Sequence, residues 1–137
     1  MDMNRRVFLD SSFWIVLRDE REPGHRQAQR LMQTLLAEKN SLVVTVLVFA
    51  ETHAYFSKTP FRSRQILDDF ENNPILISEP VSPADEKTAI ALLRQQHDKN
   101  YSLCDAISFV VMRRLHIRQA ATFDSRFRQF GEFEIIS

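Results

Sequence analysis

Two kinds of apolar spacing alternate along the chain. Short continuous apolar runs, bounded by polar turns, are what strands buried on both faces require. Between them, apolar residues recur every three or four positions, the stripe of an amphipathic helix. Residues 7–9 predict strand one, with Ser11 or Ser12 able to cap a helix to about Leu17. Glu20, Pro23 and Gly24 mark a turn. Residues 25–39 carry Ala28, Leu31, Met32, Leu35 and Leu36 on one stripe and predict a helix. Residues 42–44 predict a short buried strand.

The run LVVTVLVFAETHAYF is too long for one strand, although it is rich in β-branched residues. Thr45 divides it, as the cap of a helix over residues 46–57. Pro60 ends that segment, and residues 62–71 form another helix. Pro74 precedes strand three, residues 75–77. Ser82, Pro83 and Asp85 are a helix start, with Ser at the cap, Pro at the first position and an acid in the first turn. That helix reaches about Asp98, and Ser102 opens the next, through Leu115. Strand four covers 118–122, a short helix or turn 125–129, and a last strand 133–135. Strands alternating with helices predict an α/β fold, a parallel sheet of about five strands with helices on both sides. All 137 residues belong to one such domain.

Composition removes several classes of function. The two glycines, Gly24 and Gly131, leave no glycine-rich phosphate loop and no dinucleotide fingerprint. The lone Cys104 forbids an internal disulfide and a cysteine-based zinc site. His25, His53, His97 and His116 lack metal-ligand spacing. No apolar stretch of signal-peptide or membrane-span length is visible, which predicts a soluble cytoplasmic protein. Charges balance at 18 against 18, so net charge does not favour a polyanion partner. Arginine far outnumbers lysine, however. Arg18, Arg21, Arg26, Arg113, Arg114, Arg118, Arg126 and Arg128 lie near acidic positions, as solvated helix faces or as phosphate ligands.

Four acids stand out. Asp10 ends strand one and Asp124 follows strand four; each can equally cap the next helix. Glu51 sits among apolar residues of a helix, either paired there or at the stripe's solvent edge. Asp105, three residues after Ser102, completes a capping box and also has Ser108, Phe109 and Met112 as one-turn neighbours. The carboxyl edge of a parallel sheet is where ligands bind in open α/β folds, and all four acids fall at or near that edge. Two carboxylates about 6 Å apart repel by roughly 3 kcal/mol at an effective dielectric near 20. Such a cluster takes up protons or a divalent cation. Oxygen donors without His or Cys suit Mg²⁺ or Mn²⁺. A metal held this way activates water for phosphodiester hydrolysis.

These residues carry a resemblance. FLDSSFWI near the N-terminus, the apolar helix with FAE, YSLCDAISF and the closing ATFDSRF together resemble PIN-domain nucleases, most closely VapC-type toxins of toxin–antitoxin pairs. The resemblance spans nearly the whole chain and implies a PIN-like α/β/α sandwich. Asp10, Glu51, Asp105 and Asp124 match the family's acidic positions, which hold one or two Mg²⁺ or Mn²⁺ ions and the attacking water. Ser11, Ser102 and Thr122 match hydroxyl positions that support them. It further implies cleavage of single-stranded or looped RNA, a homodimer, and inhibition by a cognate antitoxin. Phe13 and Trp14 depart from the pattern, since many relatives carry small or polar residues there; they bear on the groove entrance. Phe56, Phe61 and Phe70 gather around a helix break, as core or as a docking surface.

Other classes remain to be weighed. A phospho-acceptor receiver domain needs an acceptor Asp ending strand three and a later strand-end Lys, where this chain has Ile77-Ser78-Glu79 and no Lys. A binding module that lost catalysis is disfavoured by the presence of all four acids. A nuclease serving RNA maturation instead of toxicity is the remaining alternative.

Overall fold

The structure, a computed structural model, describes residues 5–137. Residues 1–4, on which the signal-peptide expectation partly rests, lie outside them. Twelve elements follow in order among the described residues: β1 (Arg6–Leu9), α1 (Ser11–Arg18), α2 (His25–Ala37), β2 (Ser41–Val44), α3 (Val46–Tyr55), α4 (Pro60–Asn72), β3 (Leu76–Ser78), α5 (Pro83–Gln95), α6 (Leu103–Leu115), β4 (Gln119–Ala121), α7 (Ser125–Phe130) and β5 (Glu134–Ile136).

The five strands form one parallel sheet in the order β3-β2-β1-β4-β5. With helices on its faces it is the expected α/β/α sandwich. Val7, Phe8 and Leu9 are almost wholly buried because β1 is central and covered on both sides. From β1 the chain moves to β2 and β3 on one flank, then returns to β4 and β5 on the other. The crevice between the carboxyl ends of β1 and β4 is therefore the topological switch point. Asp10 N donates to Ala121 O at 3.1 Å, so the β1–β4 ladder runs on into Asp10 and pins it at the crevice.

Helix α6 is buried from Cys104 through Met112, which no amphipathic surface helix could be. Its Ala106, Ile107, Val110 and Val111 meet Ala89 and Leu92 of α5. Phe109, elsewhere on α6, stacks on Phe130 with centroids 4.1 Å apart. Asp105 is thus carried at the first turn of the most enclosed helix of the fold.

Several boundaries differ from the sequence reading, for local reasons. Of the caps the sequence offered for α1, Asp10 is the one used; its carboxylate accepts from Ser12 N at 3.3 Å. Helix α3 stops at Tyr55, and Pro60 opens α4 instead of ending a segment, because proline at a first helical position forfeits no bond. Strands β3 and β5 each begin one residue later than expected. Phe13 and Trp14 are in the core and do not shape the groove entrance: Phe13 stacks on Phe123 at 5.6 Å and Trp14 Nε1 donates to Asp69 at 3.1 Å. Of the phenylalanine trio, Phe56 is buried, Phe70 stacks on Phe49 and Phe61 is exposed.

Candidate active site

Asp10 is held by two hydroxyls and a backbone N–H. Its Oδ2 accepts from Ser12 Oγ at 2.7 Å, from Thr122 Oγ1 at 3.0 Å and from Ser12 N. Ser12 Oγ also accepts from Phe123 N at 2.9 Å, and Thr122 Oγ1 from Asp124 N at 3.0 Å. The ends of β1 and β4 are thereby tied together through one carboxylate oxygen, and Oδ1 is left out of that set. Burial pushes the Asp10 carboxyl up to about 6, against the lowering effect of the Ser12 and Thr122 bonds; the Asp105 charge adds to the rise.

Asp105 belongs to a complete capping box. Ser102 Oγ accepts from Asp105 N at 3.0 Å and Asp105 Oδ2 accepts from Ser102 N at 2.9 Å. The capping role and a role in the crevice are compatible, because only Oδ2 is used. Burial raises the Asp105 carboxyl and the charge of Asp124 raises it further, outweighing the Ser102 bonds and Arg126.

The same motif occurs at Ser82 and Asp85 with the opposite outcome. There Arg114 grips both carboxylate oxygens of Asp85, at 2.9 and 2.8 Å. Burial raises the Asp85 carboxyl, but Arg114 and Ser82 prevail and its pKa is lowered. One capping-box acid is neutralised within the fold, and the other faces acids.

Glu51 is exposed on α3, and Ser11 Oγ donates to its Oε1 at 2.8 Å. It sits at the solvent edge of the apolar stripe, as one of the two sequence readings had it, and yet it turns toward the crevice. Asp124 caps α7, with Oδ1 accepting from Arg126 N at 2.9 Å and Oδ2 from Arg126 Nη1 at 3.1 Å. Ser11, Glu51, Ser102, Asp105, Asp124 and Arg126 line a groove of about 540 Å³. Cys104 reports the convergence: burial pushes its thiol up, and the neighbouring Glu51, Asp10 and Asp105 charges push it further. It is no nucleophile at neutral pH.

Glu51, Asp105 and Asp124 therefore share one groove at the edge of the sheet, and Asp10 lies behind it within Coulombic reach of Asp105. They do not form a closed cage. Among the described residues, no three His, Cys, Asp or Glu side chains are grouped so as to hold a metal ion. Two of the four are drawn elsewhere, Glu51 onto Ser11 and Asp124 onto Arg126. The donor set fits a hard cation nonetheless, because it is all oxygen, and Mg²⁺ binds through one or two carboxylates with waters completing its shell.

A second cavity of about 320 Å³, lined by Trp14, Arg18, Met32 and Asp69, offers one carboxylate. Asp69 is already taken by Trp14 Nε1 and by a two-point ion pair with Arg18 at 2.9 and 2.6 Å. The groove lined by Glu51, Asp105 and Asp124 offers more carboxylates and is the candidate site.

Residues 7–132 match the family model of the PIN domain. The chain belongs to the PIN-domain family, in its VapC-type branch. It is 30% identical over 131 residues to the 23S rRNA-specific endonuclease VapC20 of Mycobacterium tuberculosis, covering 94% of this chain and 97% of that protein. The crystal structure of M. tuberculosis VapC20, a sarcin-ricin loop cleaving toxin, superposes with a TM-score of 0.83 at 27% identity, over 96% of this chain and 99% of that one. A toxin–antitoxin complex from Klebsiella pneumoniae gives a TM-score of 0.69 at 15% identity over 96% of each chain, a likeness of fold alone.

In this PIN domain all three supporting hydroxyls named from sequence are engaged: Ser11 on Glu51, Ser102 on Asp105, Thr122 on Asp10. Ser12 is the addition, a hydroxyl two residues past Asp10 whose position in an N-cap turn already favoured a bond back to the carboxylate. The arginines are the main revision. Arg18, Arg21, Arg113 and Arg114 are committed to Asp69, Asp19, Glu132 and the Glu79–Asp85 pair. Arg126 is the one that lines the acidic groove. Among the described residues, no helix is long and apolar enough to cross a membrane.

Proposed function

We propose that this PIN domain is a Mg²⁺- or Mn²⁺-dependent endoribonuclease and the toxin of a type II toxin–antitoxin pair. The observation that carries the reading is the meeting of Asp10, Glu51, Asp105 and Asp124, from four separate segments, at the switch point of the sheet. Buried carboxyls with raised pKa values, facing one another, are costly for a fold unless a cation joins them. Asp10 and Asp105 commit Oδ2 to the scaffold, which fixes their orientation and leaves Oδ1 for an ion.

When bound, the metal lowers the pKa of a coordinated water and stabilises the charge that develops on the phosphate. The chain's own residues do the rest. Asp10 and Asp105 are the principal ligands, presented by a strand end and a helix start that cannot shift without breaking the β1–β4 ladder or the α6 cap. Glu51, exposed at the groove and steadied by Ser11, accepts a proton from the attacking water. Asp124 is the outermost acid. The substrate is single-stranded or looped RNA; since the VapC20 relative is a 23S rRNA-specific endonuclease that cleaves the sarcin-ricin loop, ribosomal RNA is the first substrate to offer. A cognate antitoxin is the proposed protein partner and a homodimer the proposed assembly.

The test is an RNase assay on wild type and Asp10→Asn side by side, with Mn²⁺, with Mg²⁺ and with EDTA. Cleavage by wild type alone, and only with metal, is expected. Cleavage that survives EDTA or the substitution overturns the proposal. Induced expression then separates roles: a toxin arrests growth and co-expression of its antitoxin restores it, whereas a maturation nuclease does neither.

A further inference from the structure

Arg126 stands where the acidic groove would otherwise offer its charge to a metal. Its Nη1 is 3.1 Å from Asp124 Oδ2 and its Nε 3.8 Å from Asp105 Oδ2. Its own backbone N–H takes the other Asp124 oxygen at 2.9 Å. Both oxygens of Asp124 are thus occupied by a single residue two positions along the chain. The cause is local: Asp124 caps α7, the cap turn brings Arg126 N onto Oδ1, and the side chain folds back over the same carboxylate. The Arg126 side chain is 38% exposed, so it can leave the groove without unpacking the core.

A divalent ion and this guanidinium compete for the same negative charge. Mg²⁺ needs carboxylate oxygens at about 2.0–2.1 Å. Each Asp124 oxygen already accepts one bond from Arg126, so an ion there must share the carboxylate with a cation that has partly neutralised it. A fixed positive charge beside Asp105 also opposes an incoming dication through space, and does so most strongly where water is partly excluded. Resting on the metal-dependent reading above, we propose that Arg126 is a resident counter-cation of the groove. It satisfies Asp124 and leans on Asp105 in the free protein, holds divalent-ion affinity below what the acids alone would give, and is displaced when the ion binds. Arg126 is a positioning residue here, acting through the two acids.

The experiment is calorimetric titration of the whole chain with Mn²⁺ alone, at low ionic strength and without RNA. It compares wild type, Arg126→Ala, Arg126→Gln and Arg128→Ala, each checked for native melting by circular dichroism. Arg126→Gln keeps length and removes charge. Arg128 lies on the same helix and is not paired with Asp105 or Asp124, so its removal reports the general field. Both Arg126 variants are expected to bind Mn²⁺ about five- to tenfold tighter than wild type, the effect of one like charge removed from close range. Arg128→Ala should stay within about twofold of wild type, as screening attenuates distant charges. Equal or weaker binding by the Arg126 variants overturns the inference and leaves the metal-dependent reading standing. An equal gain in Arg128→Ala overturns it too. Absence of Mn²⁺ binding in every protein, Arg126 variants included, removes the metal-dependent reading and this inference with it.

Discussion

Ser11 Oγ donates a 2.8 Å hydrogen bond to Oε1 of Glu51, 40 residues further along the chain. One bond joins the first turn of α1 to the middle of α3 and turns an exposed glutamate toward the crevice. Ser11→Ala should therefore damage function more than stability. A single exposed hydrogen bond contributes about 0.5–1 kcal/mol, whereas losing the orientation of a reacting group by about 1.4 kcal/mol lowers turnover tenfold. Urea unfolding and single-turnover RNA cleavage, measured together, check this. Equal small losses in both would mean the bond is structural only.

Asp10 should make the metal-free protein less stable as pH rises. Its carboxyl titrates near 6 in the folded state, chiefly because it is buried, and near 4 when unfolded. Between those values the folded state holds a proton that the unfolded state has lost, so stability falls with increasing pH across that window. The full loss above it is on the order of 3 kcal/mol. Asp10→Asn should remove that slope, melt higher than wild type at pH 7 in EDTA, and abolish RNA cleavage. Thermal melts from pH 4 to 7 in EDTA decide it; parallel curves for the two proteins would refute it.

Ser102→Ala tests the double duty of the α6 capping box. Loss of the cap should cost about 1 kcal/mol. The Ser102 backbone N–H that binds Asp105 Oδ2 survives the substitution, but the first turn of α6 that carries the carboxylate is loosened, so cleavage should drop beyond what that destabilisation explains. Ser82→Ala, at the equivalent box of α5, should show a similar stability change with cleavage intact, because Arg114 still holds Asp85. Matched activity losses in the two variants would contradict this account.

Asp69 should matter to the fold and not to the chemistry. Its carboxylate is buried and receives Trp14 Nε1 together with the Arg18 guanidinium. Asp69→Ala leaves an indole N–H and a half-buried cation without their acceptor, at a cost of about 2–3 kcal/mol. Denaturant midpoints should fall accordingly, while cleavage per folded molecule at low temperature stays at the wild-type level. A selective loss of cleavage would place Asp69 nearer the chemistry than its position allows.

Periodicity alone determined the succession of strands and helices, because apolar spacing and caps are local properties of a chain. It also marked Asp10, Glu51, Asp105 and Asp124, since an acid at a strand end or in an apolar stripe is locally conspicuous. Its errors were at edges: a proline read as a stop opened α4, and β3 and β5 began one residue later than their apolar runs. Only the tertiary structure decided what each charge does. Ser82–Asp85 and Ser102–Asp105 are the same motif to a sequence reader, and nothing within either stretch tells them apart. Packing set Arg114 on one and three other acids around the second. Likewise Arg18, Arg21, Arg113 and Arg114, which lay near acids in sequence, went to ion pairs outside the groove, and Arg126 was folded back into it. Electrostatic roles depend on distances between segments far apart in the chain, and those distances exist only once the sheet has assembled.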